Sequence, residues 1–65
     1  MNLIEAIASV LAGSNGLTAK QIAERVNSGL YTRADNKPVP PHQVNIRLGK
    51  YPSYFTNVRG KWYKE

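Results

Sequence analysis

The sequence predicts a small α+β domain in which three short helices precede a C-terminal β-hairpin. Apolar residues recur at helical spacing in three segments, and breaks rich in glycine or proline separate these segments. Near the C-terminus, two runs of aromatic and β-branched residues flank Arg59-Gly60, which is a hairpin signal. A chain of 65 residues, 42% of them hydrophobic, has room for one core. We therefore expect a single domain over residues 1–65.

The first helix is predicted over residues 3–12. Asn2 is a suitable N-cap, and Glu5 stands three residues later, where a capping box needs a carboxylate. The run from Gly13 to Gly16 ends the helix, and Gly13 is predicted to close it as a left-handed C-cap.

The second helix is predicted over residues 19–27. Thr18 is the expected N-cap, with Gln21 at the matching capping-box position. Leu17 and Ile22 fit the hydrophobic staple that fixes how the chain enters the helix.

A proline-bearing loop over residues 31–41 precedes the third helix, which is predicted over residues 41–50. Asp35-Asn36 within the loop is a turn signal, and Pro41 is suited to the first helical turn because it lacks an N–H. Pro52 ends the helix at or before the preceding residue. The face predicted to turn inward carries Val44, Leu48 and Tyr51.

The order helix, turn, helix, loop, helix, hairpin is that of a small winged helix-turn-helix domain with a C-terminal wing of two to three strands. Leu17 is placed to add a short third strand against the hairpin. Phe55 and Trp62 are expected to fill the core, since a domain of this size needs large side chains there. The alternative is that aromatic side chains stack on bases, with Tyr54 and Tyr63 the better candidates.

The net charge of +5 lies entirely in residues 31–65, which hold seven of the nine basic and two of the four acidic residues. A basic helix and hairpin on a neutral scaffold indicate a surface for a polyanion, with double-stranded DNA the first candidate.

The composition excludes several kinds of site. The sequence has no cysteine and one histidine, which argues against a disulfide, a thiolate metal site or a zinc site. We see no catalytic constellation and expect no enzyme activity, cofactor or metal. The apolar stretch over residues 3–12 is too short to span a bilayer and lacks the features of a secretion signal. We expect a cytoplasmic protein, associated with the nucleoid if the host is bacterial.

The sequence resembles the HARE-HTH family along nearly its whole length. The combination of motifs at fixed distances carries the resemblance: Leu17-Thr18-Ala19-Lys20-Gln21-Ile22-Ala23-Glu24, Gly29-Leu30-Tyr31, Lys37-Pro38-Val39-Pro40-Pro41-His42-Gln43-Val44, Arg47-Leu48, Lys50-Tyr51-Pro52 with Phe55, and Gly60-Lys61-Trp62. Such domains occur in restriction endonucleases and other restriction–modification proteins, in the delta subunit of bacterial RNA polymerase and in eukaryotic chromatin proteins. The resemblance implies an accessory DNA-binding winged helix in restriction–modification or transcription. It also implies that any nuclease lies in a linked domain or an associated protein.

The third helix is the expected major-groove element, and its outward residues are the candidate base contacts. Gln43 and Asn45 have the amide groups that pair bidentately with adenine, and Ile46 can touch a thymine methyl. His42 can donate to a base or a phosphate, or it can cap the helix. The alternative for these residues is an ordinary polar helix surface.

Phosphate contacts are assigned to basic residues on or near the helix and the wing. Lys50 and Arg47 come from the third helix, although the stem of Arg47 can instead be buried with only its guanidinium in water. Arg59 and Lys61 flank the wing turn, where cations grip the backbone or enter a minor groove; the alternative is a solvated turn. Three further candidates are ranked below these: Lys20, Arg33 and Lys37.

A different class of function is also compatible with the sequence. Ile46 and neighbouring apolar surface are suited to a protein–protein interaction adaptor of a polymerase or restriction complex, with the basic charge serving an acidic partner. Binding of single-stranded nucleic acid or RNA through the tyrosines is a third interpretation.

Overall fold

A computed structural model describes residues 2–29, 31 and 37–65. The described chain forms a small α+β fold of three helices and a three-stranded antiparallel sheet. The elements follow in the order α1 (Leu3–Ala12), β1 (Leu17–Thr18), α2 (Ala19–Ser28), α3 (Pro41–Gly49), β2 (Phe55–Val58) and β3 (Lys61–Lys64).

The first two helices begin with the predicted capping boxes. The Asn2 side chain accepts from the Glu5 amide at 2.9 Å, and Glu5 Oε1 accepts from the Asn2 amide at 3.3 Å. Thr18 and Gln21 make the same reciprocal pair at 3.2 and 3.0 Å. Each box satisfies amides that the first helical turn leaves without an intrahelical partner. The predicted starts of α1 and α2 are therefore confirmed.

The helix ends show one error in the sequence-based interpretation. Gly13 has φ −104°, so it is not a left-handed cap. The Leu11 carbonyl instead accepts from both the amide and the hydroxyl of Ser14, at 3.0 Å each. The positive φ that this connection needs falls later, at Gly16 with φ +100°. The other ends lie within one residue of prediction, since α2 extends through Ser28 and α3 ends at Gly49.

The sheet has the strand order β1-β3-β2, so the short strand predicted at Leu17 does pair with the hairpin. Leu17 lies opposite Trp62, which in turn lies opposite Asn57 on the other side. Residues directly opposite each other share a sheet face, and neighbours along a strand alternate. Trp62 therefore points to the face that carries Leu17, while Lys61 points to the other face.

The core joins all three helices to the inner face of the sheet. Leu17 and Ile22 are both buried in it, as the staple predicts, and so are Phe55 and Trp62. Its buried members are Leu3, Ala6, Ile7, Leu11, Leu17, Ile22, Ala23, Val26, Val39, Val44, Leu48, Phe55 and Trp62. Tyr51 was predicted to continue the inward face of α3, but it follows the end of the helix and is 36% exposed.

Asn27 holds the segment that leads into α3. Its side chain donates to the Val39 carbonyl at 3.0 Å and accepts from the Val39 amide at 2.8 Å. Both groups of one backbone residue are thus satisfied by one amide side chain, in the manner of a strand partner. This clamp fixes where α3 begins relative to α2.

Candidate nucleic-acid interface

The outward surface of α3 is polar apart from one isoleucine. Val44 and Leu48 are fully buried, which turns the opposite side of the helix to solvent. His42, Asn45, Ile46 and Lys50 are exposed, as expected from their spacing, while Gln43 is half-buried. Ile46 is 53% exposed. The helix therefore presents donors, acceptors and one apolar contact on a single exposed surface.

Arg47 combines features of both roles considered for it. The residue is half-buried, and its Nε is shielded from solvent without a hydrogen-bond partner in the part of the chain that the structure describes. The half-buried position agrees with the alternative in which the stem of Arg47 is partly withdrawn from water. A buried Nε–H without a partner is costly, and because Nε is shielded, a phosphate would have to bind through the terminal guanidinium nitrogens.

Lys50 is the exposed C-cap of α3. Its backbone amide donates to the carbonyls of Arg47 and Leu48, which leaves the ammonium on its long stem in solvent. A cation at this end also interacts favourably with the helix dipole, so the residue contributes something to the helix even without a ligand.

The hairpin turn places Arg59 in an unusual backbone conformation. Arg59 has φ +53° and Gly60 has φ +86°, the pattern of a type I′ turn. The Asn57 side chain accepts from the Gly60 amide at 3.2 Å and braces the turn. Such turns favour asparagine, aspartate or glycine at the position of Arg59, and a longer side chain there is strained. The exposed arginine is thus kept at the hairpin tip at a cost in stability.

Lys61 points away from the face that meets α3. Trp62 contacts α3 from the inner face of the sheet, and strand alternation puts Lys61 on the outer face, beside Val58 and Thr18. Of the hairpin cations Arg59, Lys61 and Lys64, only Arg59 lies at the tip. The structure does not bring Lys61 onto the inner face with Trp62.

The remaining candidate residues lie outside α3 and the hairpin tip. Lys20 is exposed in the first turn of α2. Lys37 is exposed just before Val39, the residue that the Asn27 side chain holds. Arg33, with the predicted Asp35-Asn36 turn, lies outside the described residues. Tyr63, a candidate for base stacking, packs its ring over Gly16 and is 36% exposed, whereas Tyr54 is 64% exposed.

One hydrogen bond connects α3 with the hairpin. The buried indole Nε1 of Trp62 donates to Asn45 Oδ1 at 2.9 Å. Sequence reasoning assigned Trp62 to the core and Asn45 to a ligand, and it did not connect them. The bond holds the exposed surface of α3 in a fixed position against β3.

The described part of the chain also has shallow apolar grooves whose lining includes no residue of α3. One, of about 260 Å³, is lined by Ile4, Glu5, Ala8, Tyr51, Tyr54, Phe55 and Lys64. Another, of about 170 Å³, lies between α1 and α2 and includes Arg25 in its lining. Within residues 2–29, 31 and 37–65 there is no group of three or more His, Cys, Asp or Glu side chains that could hold a metal ion. None of the described helices is long and apolar enough to cross a membrane.

Comparison with known proteins adds no further assignment. No protein-family model, no curated protein and no solved structure matches this chain.

Proposed function

We propose that this chain is a winged helix-turn-helix module that binds double-stranded DNA. In this proposal α3 enters the major groove, β2–β3 is the wing, and the wing tip contacts the backbone or the minor groove. The observation that carries the proposal is the exposed polar surface of α3, fixed to the hairpin by the bond between Asn45 and Trp62. The role is non-catalytic, accessory to restriction–modification or transcription, with any nuclease in a linked domain or partner.

Arg59 supports the same proposal independently. Residues held in sparsely populated backbone regions concentrate where function requires them. A strained arginine at an exposed hairpin tip is explained when its side chain contacts a phosphate or a narrow minor groove.

Binding by one copy should be weak and sensitive to salt. We expect a non-specific Kd on the order of 10⁻⁴–10⁻⁶ M, because phosphate neutralisation supplies most of the free energy. Useful affinity would then come from a linked module.

The test is a fluorescence-anisotropy titration of labelled duplex at several salt concentrations, with Lys50→Gln and Arg25→Gln as a matched pair. Both variants lose one charge, but Arg25 lines the groove between α1 and α2. We expect the slope of log K against log salt to fall by about 1 in magnitude for Lys50→Gln and to stay unchanged for Arg25→Gln. No binding at low salt, or equal effects of both variants, contradicts the proposal.

The exposed apolar surface favours a second candidate, an adaptor that binds another protein. Ile46 is exposed on α3, and the groove beside Tyr51 and Tyr54 is almost wholly apolar. In that case Ile46→Ser would abolish capture of a protein partner.

A further inference from the structure

The Asn45–Trp62 hydrogen bond fixes which end of the Asn45 amide faces solvent. The indole N–H of Trp62 is a donor only, so the atom 2.9 Å away has to be the amide oxygen. Trp62 is 9% exposed, and this bond pairs its only polar side-chain atom. The amide oxygen therefore points at β3, and the Nδ2 group is left to point away from it.

The outward Nδ2 group is accessible. Asn45 is exposed, and Nδ2 makes no hydrogen bond with the described residues. Gly49 follows one turn later on the same side of α3, where a Cβ would meet no atom within 4 Å. The exposed Asn45 side chain thus offers two N–H donors to a ligand.

Because the Asn45 amide presents its N–H donors outward while its oxygen is occupied by Trp62, it can distinguish the two purines in the major groove. Bidentate pairing with adenine needs the amide oxygen to accept from N6, whereas guanine presents two acceptors, N7 and O6. An amide rotated to expose its oxygen would leave the indole N–H of Trp62 buried without a partner. That loss is of the same size as the gain from the adenine pair, so the two offset each other.

We propose that Asn45 contacts base edges as a donor and favours guanine over adenine, with Trp62 as the positioning residue that enforces this choice. The inference rests on the proposed DNA-binding function and replaces the adenine pairing expected for Asn45 from the sequence.

Two substitutions test this inference by changing the polarity of the contact. In Asn45→Asp one carboxylate oxygen still accepts from Trp62, while the outward donor becomes an acceptor, which suits cytosine N4. In Trp62→Phe a smaller phenyl ring replaces the indole and the N–H donor is lost, so the Asn45 amide is free to rotate and to pair with adenine. Asn45→Asp is nearly isosteric, which keeps the test available even if Trp62→Phe fails to fold.

The experiment is selection of bound sequences from a randomised duplex pool at low salt, using the whole chain and each variant. We expect wild type to enrich guanine over adenine at one position by about fivefold or more, Asn45→Asp to shift that position to cytosine, and Trp62→Phe to shift it to adenine. Enrichment of adenine by wild type, or bound pools that do not differ among the proteins, overturns the inference and leaves the proposed function intact. Failure of wild type to bind duplex at all overturns both.

Discussion

Arg59→Asn is predicted to stabilise the protein while weakening its binding of DNA. A non-glycine residue in the left-handed region costs about 1–2 kcal/mol, and asparagine tolerates that region best among the other residues. With φ +53° at Arg59 and φ +86° at Gly60, the substitution creates the Asn-Gly pair that type I′ turns favour.

The expected gain is about 1 kcal/mol, which raises the Tm of a domain of this size by about 4–8 °C. The lost guanidinium removes one phosphate contact, so the slope of log K against log salt should fall by about 1 in magnitude. Thermal unfolding followed by circular dichroism measures the first effect, and the anisotropy titration measures the second.

Arg25→Gln is the control for both measurements, because it removes the same charge from the last turn of α2. It should neither raise the Tm nor change the salt slope. An Arg59→Asn protein with an unaltered or lower Tm would refute the strain argument, and one with the wild-type salt slope would refute the contact at the hairpin tip.

Two further substitutions examine the framework that positions α3 and the hairpin. Asn27→Ala should lower the free energy of unfolding by about 1–3 kcal/mol, because it leaves both backbone groups of Val39 without their partner; a change below 0.5 kcal/mol in urea titration, roughly that of an ordinary surface substitution, would show that the clamp contributes nothing. Gly16→Ala should cost about 1–3 kcal/mol, since Gly16 has φ +100° and a Cβ would lie 2.4 Å from the Tyr63 ring. Gly13→Ala is its control, because a Cβ there meets nothing within 4 Å, and equal effects of the two glycine substitutions would contradict this explanation.

Features that depend on neighbours in sequence could be predicted. The capping boxes at Asn2 and Thr18 involve residues three apart, and they fixed the starts of α1 and α2. The hairpin turn followed from an equally local pattern of turn residues, whereas the strand at Leu17 was inferred from the winged helix-turn-helix order of the elements.

Two side-chain contacts between distant residues could not be predicted. Asn27 and Val39 are 12 positions apart, and Asn45 and Trp62 are 17 apart. Nothing local in the sequence distinguishes an asparagine whose amide contacts backbone from one that contacts an indole or a base. Only the fold brings the partner into place. Gly13 failed as a left-handed cap for a related reason, since Ser14 provides an alternative ending that the glycine does not reveal.

The most direct test of DNA binding by α3 and the hairpin is NMR shift mapping of the labelled protein with a short duplex. The proposal predicts saturable shifts at His42, Asn45, Lys50 and Arg59, with the α1–α2 groove around Arg25 unaffected. Shifts confined to that groove or to the apolar groove beside Tyr54, or no shifts at low salt, would contradict it.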